Sequence, residues 1–298
     1  MTFQSFKKAL QVRLRAYSIL IIVLMILAQC LALQWFGFEL ITHFTLHAAV
    51  LVLIGSFAFS WRWRLGLWAV VTMVLLWVMQ PFSGSLKTPL SHSMMVYNIQ
   101  FDNDHKNHEV SFLSQMDADF LALIEMGSSE WQQAFSSLKQ RYPEACGHDL
   151  ESPFAMQLMS KKPLLACQVE FVDIYPYIRA VLSPQQTVFV LHPPPPINRE
   201  LAEDRQRYFE KLATIIGQEN NAVLVVGDLN NTPFSPVYRR FVQAAQLQES
   251  MKYGTPTWKP FLLPIDRVLH RQVIIKTSPL HWQYSDHRPI WIEWQPEK

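Results

Sequence analysis

The chain has 298 residues, of which half are hydrophobic and only 17% are charged, an unusually apolar balance for a wholly soluble protein. The charge is unevenly divided, because residues 1–91 hold seven Lys or Arg and a single acid, Glu39. Of the 26 basic and 24 acidic residues in the chain, 19 and 23 therefore remain in 92–298, which is formally −4. This balance argues against a domain that grips duplex nucleic acid through many phosphate contacts.

Three apolar stretches, 17–34, 40–60 and 65–80, open the chain and are separated by short breaks. The first two are long enough to cross a hydrocarbon layer of about 30 Å, and the third is marginal. We therefore predict a membrane anchor of about three transmembrane helices over residues 1–82, followed by a linker at 83–91. The alternatives are a cleaved signal peptide and a two-span hairpin with a third, interfacial helix.

The basic residues of this region predict its orientation. Four precede the first stretch and two separate the second from the third, whereas residues 35–39 between the first two stretches contain none. The positive-inside rule then places the N-terminus and the Arg62/Arg64 loop in the cytoplasm. With three spans, residues 92–298 would lie on the side of the membrane opposite the cytoplasm, which for a bacterial inner membrane is the periplasm. No feature of the sequence indicates an obligate protein partner.

From residue 92 onward, short apolar runs typical of strands alternate with a few helical stretches. The pattern has many strands and few helices, which predicts an α+β domain of two packed mixed sheets with helices outside. Cys146 and Cys167 lie in this domain and either form a disulfide or remain two buried thiols, while Cys30 lies in the anchor.

Polar residues follow or precede several of these runs, where the edge of a sheet can present them to one cleft. They are Asn98, Glu125, His192, Asp228 with Asn230, Asp266, and Asp286 with His287. Any one of them could be an ordinary turn residue. Together they form a set of carboxylates, amides and imidazoles without a cysteine cluster, which is the chemistry that Mg²⁺ or Mn²⁺ prefers.

The order of motifs resembles the endonuclease/exonuclease/phosphatase (DNase I-like) family, and in particular its membrane-attached bacterial branch. The motifs are Tyr-Asn, Leu-Ile-Glu, Leu-His, Gly-Asp-Leu-Asn-Asn-Thr-Pro, Ile-Asp-Arg-Val-Leu and Ser-Asp-His-Arg-Pro, and they span about 93–295. The resemblance implies a four-layer α/β sandwich, in which two mixed sheets are flanked by helices. It also implies metal-assisted hydrolysis of a phosphate ester.

Carried over to this sequence, the resemblance implies a metal site and a base. Glu125 would be the principal metal ligand, with Asn98 beside it as a ligand or a support, and Asp286 would contribute to a metal site. Asp228 would orient and deprotonate the attacking water. The amide of Asn230 would help it and would hold a phosphoryl oxygen.

The same resemblance implies contacts to the phosphate. His287, oriented by Asp266, would stabilise the developing charge, and His192 would donate a hydrogen bond or act as the acid for the leaving oxygen. Ser285 would either bind phosphate or hydrogen-bond its own turn. Arg267 stands where many relatives have His or Tyr, and it would either bind substrate phosphate or pair with a neighbouring acid.

These features predict a membrane-anchored, Mg²⁺- or Mn²⁺-dependent phosphoesterase. The substrate would be a phosphodiester or phosphomonoester, such as a lipid headgroup, a nucleotide or a nucleic acid. The alternatives are a nuclease that uses the same site and a catalytically silent membrane scaffold.

Overall fold

The computed structural model describes residues 3–80, 90–148 and 151–297. The linker predicted at 83–91 therefore falls almost entirely outside the described residues. Four helices precede it, namely α1 (Phe3–Leu31), α2 (Phe36–Thr42), α3 (Thr45–Ser56) and α4 (Trp61–Val78).

The N-terminal helices expose large apolar side chains on most of their surface. Both α1 and α4 are long and apolar enough to cross a membrane. The second predicted span is not a straight helix, because its two halves, α2 and α3, meet at a bend of 64°. The two helices can cross a membrane only together, as a bent pair. The break at residues 43–44 lies in the sequence Thr-His-Phe-Thr and is not marked by Pro or Gly.

The anchor has one end against the large domain and the other end away from it. At the near end, Gln29 of α1 donates to the carbonyl of Phe234, and the carbonyl of Val78 at the end of α4 accepts from the N–H of Gly254. At the far end, Gln11 and Arg15 of α1 both donate to the carbonyl of Ala58. The chain therefore passes between the two ends three times, in α1, in α2 with α3, and in α4.

The large domain contains twelve strands and four further α-helices among the described residues. In chain order they are β1 (His92–Asn98), α5 (Lys106–Gln115), β2 (Phe120–Ile124), α6 (Ser129–Ala134), β3 (Glu144–His148), β4 (Met156–Ser160), β5 (Ala166–Val172), β6 (Tyr175–Ser183), β7 (Gln186–Leu191), α7 (Arg199–Gly217), β8 (Ala222–Asp228), α8 (Pro236–Ala244), β9 (Gln248–Glu249), β10 (Asp266–Arg271), β11 (Val273–Pro279) and β12 (Ile290–Pro296). A short 3-10 helix, Phe135–Leu138, follows α6.

Two six-stranded sheets form the centre of the domain. Their strand orders are β11-β12-β1-β2-β4-β3 and β5-β6-β7-β8-β10-β9. Within each sheet one central pair is parallel, β1 with β2 and β7 with β8, and the other pairs are antiparallel. Both sheets are therefore mixed, as predicted.

Three apolar clusters hold the layers together. The inner faces of the two sheets meet in one cluster, where Val96 and Ile292 of the first sheet join Val188 and Leu224 of the second. A second cluster packs α7 and α8 on the outer face of the second sheet, and a third packs α5 and α6 on the outer face of the first. The resulting order of helix, sheet, sheet and helix confirms the predicted sandwich.

A disulfide between Cys146 and Cys167 joins β3 to β5, the two strands that end their sheets on the same side of the sandwich. Of the two alternatives left open by the sequence, the structure shows the bonded pair. The bond closes a loop with a sequence separation of 21 residues and so restricts the unfolded chain. Cys30 in α1 is free and exposed.

We predict that Cys146→Ala lowers the free energy of unfolding by about 3 kcal/mol, because the unfolded chain regains the entropy of the open loop. The measurement is the denaturant midpoint of the purified full chain, followed by tryptophan fluorescence. Cys30→Ala, the matched control, should leave the midpoint unchanged. Equal midpoints for Cys146→Ala and the wild type would contradict the prediction.

Candidate active site

The topology brings the predicted polar residues to one edge of the sandwich. Asn98 and Asp228 are the last residues of β1 and β8, and Glu125 and His192 directly follow β2 and β7. Because these four strands form two parallel pairs, their carboxyl ends share an edge in each sheet. The antiparallel strand β10 begins at the same edge, where Asp266 is paired with Asp228.

The backbone at this edge adopts conformations that few residues tolerate. Glu125 and Asn230 have φ of 66° and 46°, in the left-handed region. Gly227 has φ of 144°, and a Cβ atom there would lie 2.0 Å from the carbonyl oxygen of Leu191 on β7. The glycine before Asp228 is therefore required for β7 and β8 to approach this closely.

Asn98 lies between two carboxylates. Its Nδ2 donates to Glu125 Oε1 at 2.9 Å and to Asp228 Oδ2 at 3.1 Å, while its Oδ1 accepts from the N–H of Gln100. The other oxygen of Glu125, Oε2, accepts from the N–H of Phe101 at 2.8 Å. In this arrangement Asn98 holds the two acids in place, which is the supporting role that the sequence left open.

His287 is held between Asp266 and Asp228. Its Nδ1 lies 2.9 Å from Asp266 Oδ2 and its Nε2 lies 3.6 Å from Asp228 Oδ2. Burial alone would lower the pKa of His287, but the carboxylates of Asp266 and Asp228 outweigh it and raise the pKa to about 10. The imidazole is therefore positively charged near neutral pH.

His192 has the opposite character. Burial lowers its pKa to about 4, and the opposing effect of Asp228 is smaller. Its Nε2 lies 3.8 Å from Asp228 Oδ2 and 3.9 Å from Glu125 Oε1. Burial, assisted by Asp266, raises the pKa of Asp228 despite the two imidazoles. The neutral imidazole of His192 and the charged imidazole of His287 thus both face the carboxylate of Asp228, whose pKa is raised.

Two groups of side chains among the described residues have the spacing to hold a metal ion. Ligand atoms of Glu125, His192 and Asp228 lie within 4.8 Å of one another, as do those of Asp228, Asp266 and His287. The second group is less suited to a cation, since its imidazole is charged and bonded to Asp266. In the first group the carboxylates of Glu125 and Asp228 supply oxygen ligands of the kind that a divalent cation such as Mg²⁺ prefers.

The Ser285-Asp286-His287 turn is fixed from several directions. The hydroxyl of Ser285 donates to the carbonyl of Asn98 and accepts from the N–H of His287, and the side chain is fully buried. The structure thus uses Ser285 within its turn and gives it no contact available to a phosphate. The predicted substrate contact is corrected in favour of the turn.

Asp286 belongs to neither metal group. Its Oδ2 accepts from Nε1 of Trp258 at 2.8 Å, and its Oδ1 lies 3.9 Å from Nε2 of His287.

The N–H of Ser285 donates to Glu109 at 2.8 Å, and Glu109 also accepts from the hydroxyl of Tyr97. Glu109 and Trp258 were missed by the sequence reasoning, because a helix and a loop carry them and no strand end marks them.

Arg267 does not reach the site, so its predicted contact with substrate is wrong. It follows Asp266 on β10 and its side chain therefore points to the opposite face of the sheet, where it is fully buried. Its Nη2 lies 2.9 Å from Glu249 Oε1 and donates to the carbonyl of Met251. Pairing with a neighbouring acid, the alternative that the sequence allowed, is what the structure shows.

Asn230 ties two loops of the site together. Its Nδ2 donates to the carbonyl of Pro193 at 3.0 Å, which is the residue after His192. Its N–H donates to Asp228 Oδ1 at 2.9 Å, and its carbonyl accepts from Arg205. The backbone of Asn230 is therefore held at both its N–H and its carbonyl.

Solved structures with the same fold cover most of this chain. Sphingomyelinase C from Streptomyces griseocarneus superposes with a TM-score of 0.54 at 16% identity, covering 69% of this chain and 99% of its own. A humanized TDP2 from D. rerio superposes with a TM-score of 0.56 at 15% identity, and the match covers 68% of this chain and 98% of TDP2. An AP endonuclease from Archaeoglobus fulgidus superposes with a TM-score of 0.55 at 12% identity, and the match again covers 68% of this chain and 98% of the other. At these identities the likeness shows the fold alone.

The sequence comparisons give the family. No curated protein matches the chain. The family model described as "Endonuclease/Exonuclease/phosphatase family" matches residues 95–287, the stretch that contains every strand-end residue described above. The chain therefore belongs to the Endonuclease/Exonuclease/phosphatase family.

Proposed function

We propose that the protein is a membrane-anchored phosphoesterase that uses Mg²⁺ or Mn²⁺ to hydrolyse a phosphate ester by attack of water. The observation that carries the proposal is the buried set of Asn98, Asp228, Asp266 and His287, with the half-buried Glu125 beside it, at one edge of the two sheets. Members of the family are metal-dependent phosphoesterases, and the donor set around Glu125 fits a divalent ion.

In this mechanism Asp228 accepts a proton from the attacking water. The raised pKa of Asp228 increases its basicity, and the N–H of Asn230 fixes the orientation of its carboxylate. The charged imidazole of His287, held by Asp266, stabilises the negative charge that develops on the phosphate.

Two further groups complete the proposed chemistry. A pKa of about 4 makes His192 neutral at pH 7, which favours its role as a hydrogen-bond donor to the phosphate over its role as an acid. A divalent ion bound at Glu125, when present, would neutralise phosphate charge. The Asn230 amide, which already reaches across to Pro193, would hold a phosphoryl oxygen.

A phosphate ester at a membrane surface is the substrate class that we favour. The loop carrying Phe261 and Leu262 exposes both side chains, and the ring of Phe261 packs against Phe44 of the anchor with 5.7 Å between centroids. This loop leads directly to Asp266, and Ile197, after the His192 loop, is 77% exposed. Exposed apolar side chains in these two loops suit contact with a lipid layer, and hence a phosphate ester of a lipid, better than contact with a nucleic-acid duplex.

We further propose that the catalytic domain lies in the periplasm. Arg15 and Arg64 lie at the end of the anchor that is far from the domain, where they bond to carbonyls of the α3–α4 loop. The positive-inside rule puts that end in the cytoplasm and the domain outside. The disulfide of Cys146 and Cys167 supports an oxidising compartment.

We predict that the full chain in detergent hydrolyses bis-p-nitrophenyl phosphate with Mg²⁺ or Mn²⁺ and loses this activity in EDTA. Asp228→Ala should lower kcat by about 10²–10⁴-fold, because the base is removed. Asp173→Ala, an exposed aspartate that pairs with Lys211, is the matched control and should keep full activity. Equal turnover by the Asp228→Ala and wild-type proteins would refute the mechanism.

The same preparation tests the substrate class. We expect release of phosphorylated headgroup from phospholipid vesicles to exceed cleavage of plasmid DNA, because the exposed side chains of Ile197, Phe261 and Leu262 would favour contact with a bilayer. Both reactions should disappear in Asp228→Ala. Faster, Asp228-dependent cleavage of the plasmid would instead make the protein a nuclease.

Reporter fusions test the orientation. Alkaline phosphatase fused after the C-terminus should be active, since it would be exported with the catalytic domain. The same reporter fused after Ser60, in the loop between α3 and α4, should be inactive because that loop is predicted to be cytoplasmic. The reverse pattern would place the domain in the cytoplasm.

A further inference from the structure

The only acid among residues 1–91 is buried where the anchor meets the catalytic domain. Glu39 lies on α2, and its side chain is 3% exposed. Its Oε2 lies 2.6 Å from Nη2 of Arg205 on α7, whose side chain is fully buried. A buried carboxylate and a buried guanidinium are each costly unless they are paired, so each of the two segments supplies the partner that the other needs.

The second oxygen of Glu39 is also used. Its Oε1 accepts from Nδ2 of Asn231 at 3.1 Å and from the hydroxyl of Ser235 at 2.9 Å. Both donors are fully buried, and both belong to the loop that follows Asp228. The anchor therefore does not merely touch the catalytic domain but bonds to the loop that carries Asn230.

Arg205 extends this connection to Asn230. While its Nη2 binds Glu39, its Nη1 donates to the carbonyl of Asn230. The N–H of Asn230 donates to Asp228. Asn230 also has φ of 46°, a conformation that a non-glycine residue keeps only when its surroundings impose it. A continuous chain of bonds thus runs from Glu39 through Arg205 and Asn230 to Asp228.

We propose that the membrane anchor is part of the catalytic apparatus, with Glu39 and Arg205 as positioning residues that hold Asn230 in its active conformation. The proposal rests on the function proposed above, because it concerns the same site. Neither residue contacts the reacting groups. Their effect passes through the backbone of Asn230. The side chain of Asn230 would hold a phosphoryl oxygen, and its N–H orients Asp228.

A second contact between the anchor and the catalytic domain lies outside this chain of bonds. Gln29 of α1 donates to the carbonyl of Phe234 and accepts from Arg239, so it also joins the anchor to the domain. It has no hydrogen bond to Arg205 or to Asn230 among the described residues. Gln29→Ala is therefore a matched control, since it weakens docking and leaves the chain of bonds from Glu39 to Asp228 intact.

The experiment measures kcat and KM of the full chain in detergent, with bis-p-nitrophenyl phosphate as a soluble probe. We expect Glu39→Gln to lower kcat roughly 10- to 100-fold with little change in KM, because small displacements of a positioned group slow the chemical step. Gln29→Ala should keep the wild-type kcat. An unchanged kcat in Glu39→Gln, or an equal loss in Gln29→Ala, overturns the proposal.

A double mutant separates positioning from general structural support. In an Asn230→Ala background the side-chain amide that Glu39 helps to position is gone and only the backbone bonds of residue 230 remain, so Glu39→Gln should lower kcat by a clearly smaller factor than it does in the wild type. The same factor in both backgrounds would show that Glu39 does not act by positioning the Asn230 side chain, and would overturn the proposal.

Arg205→Lys provides the test if the Glu39→Gln protein does not fold. A lysine keeps a positive charge beside Glu39, but its single ammonium lacks the fork that bonds to Glu39 and Asn230 together. We expect a folded protein with the same loss of kcat, and full kcat would overturn the proposal. Absence of any Asp228-dependent turnover in the wild type would count against the proposed function, whereas normal turnover in these variants counts against the role of the anchor alone.

Discussion

Two parallel strand pairs, one in each sheet, determine where the reactive side chains can lie. Since β1 with β2 and β7 with β8 end at the same edge, each pair delivers a carboxylate at the end of a buried strand. Asp228 is thereby brought close to Glu125 on one side, and on the other side it shares the charged imidazole of His287 with Asp266. Nearby like charges repel strongly in a poorly solvated place. This repulsion explains why the edge is braced by Asn98 and suited to a cation.

Much of this arrangement could be predicted from local sequence. A short apolar run that ends in Asn, Asp, Glu or His indicates both a strand and the side chain at its end. Gly227 before Asp228 was part of a recognisable motif, and the structure shows why no larger residue fits there. The family and the four-layer fold followed from the order of such motifs along the chain.

Other features depend on partners that are distant in sequence. The environment of Arg267 is set by Glu249, which is 18 residues away, and Glu109 reaches Ser285 across 176 residues. Strand β3 lies at the edge of its sheet and contains few apolar residues, so it lacks the pattern of a buried strand. The role of Glu39 could not be predicted because its partner lies in another part of the chain, although its isolation among apolar residues was a visible signal.

The interface between anchor and domain affects how this protein can be handled. A fragment that begins at residue 92 would leave Arg205 buried without its counter-ion, and would uncover Phe234 and Tyr253, whose rings pack against Trp77. Such a fragment would expose new apolar surface beside an unpaired charge, a combination that favours aggregation. The smallest well-behaved unit for crystallisation, inhibitor screening or engineering is therefore the helices and the sandwich together.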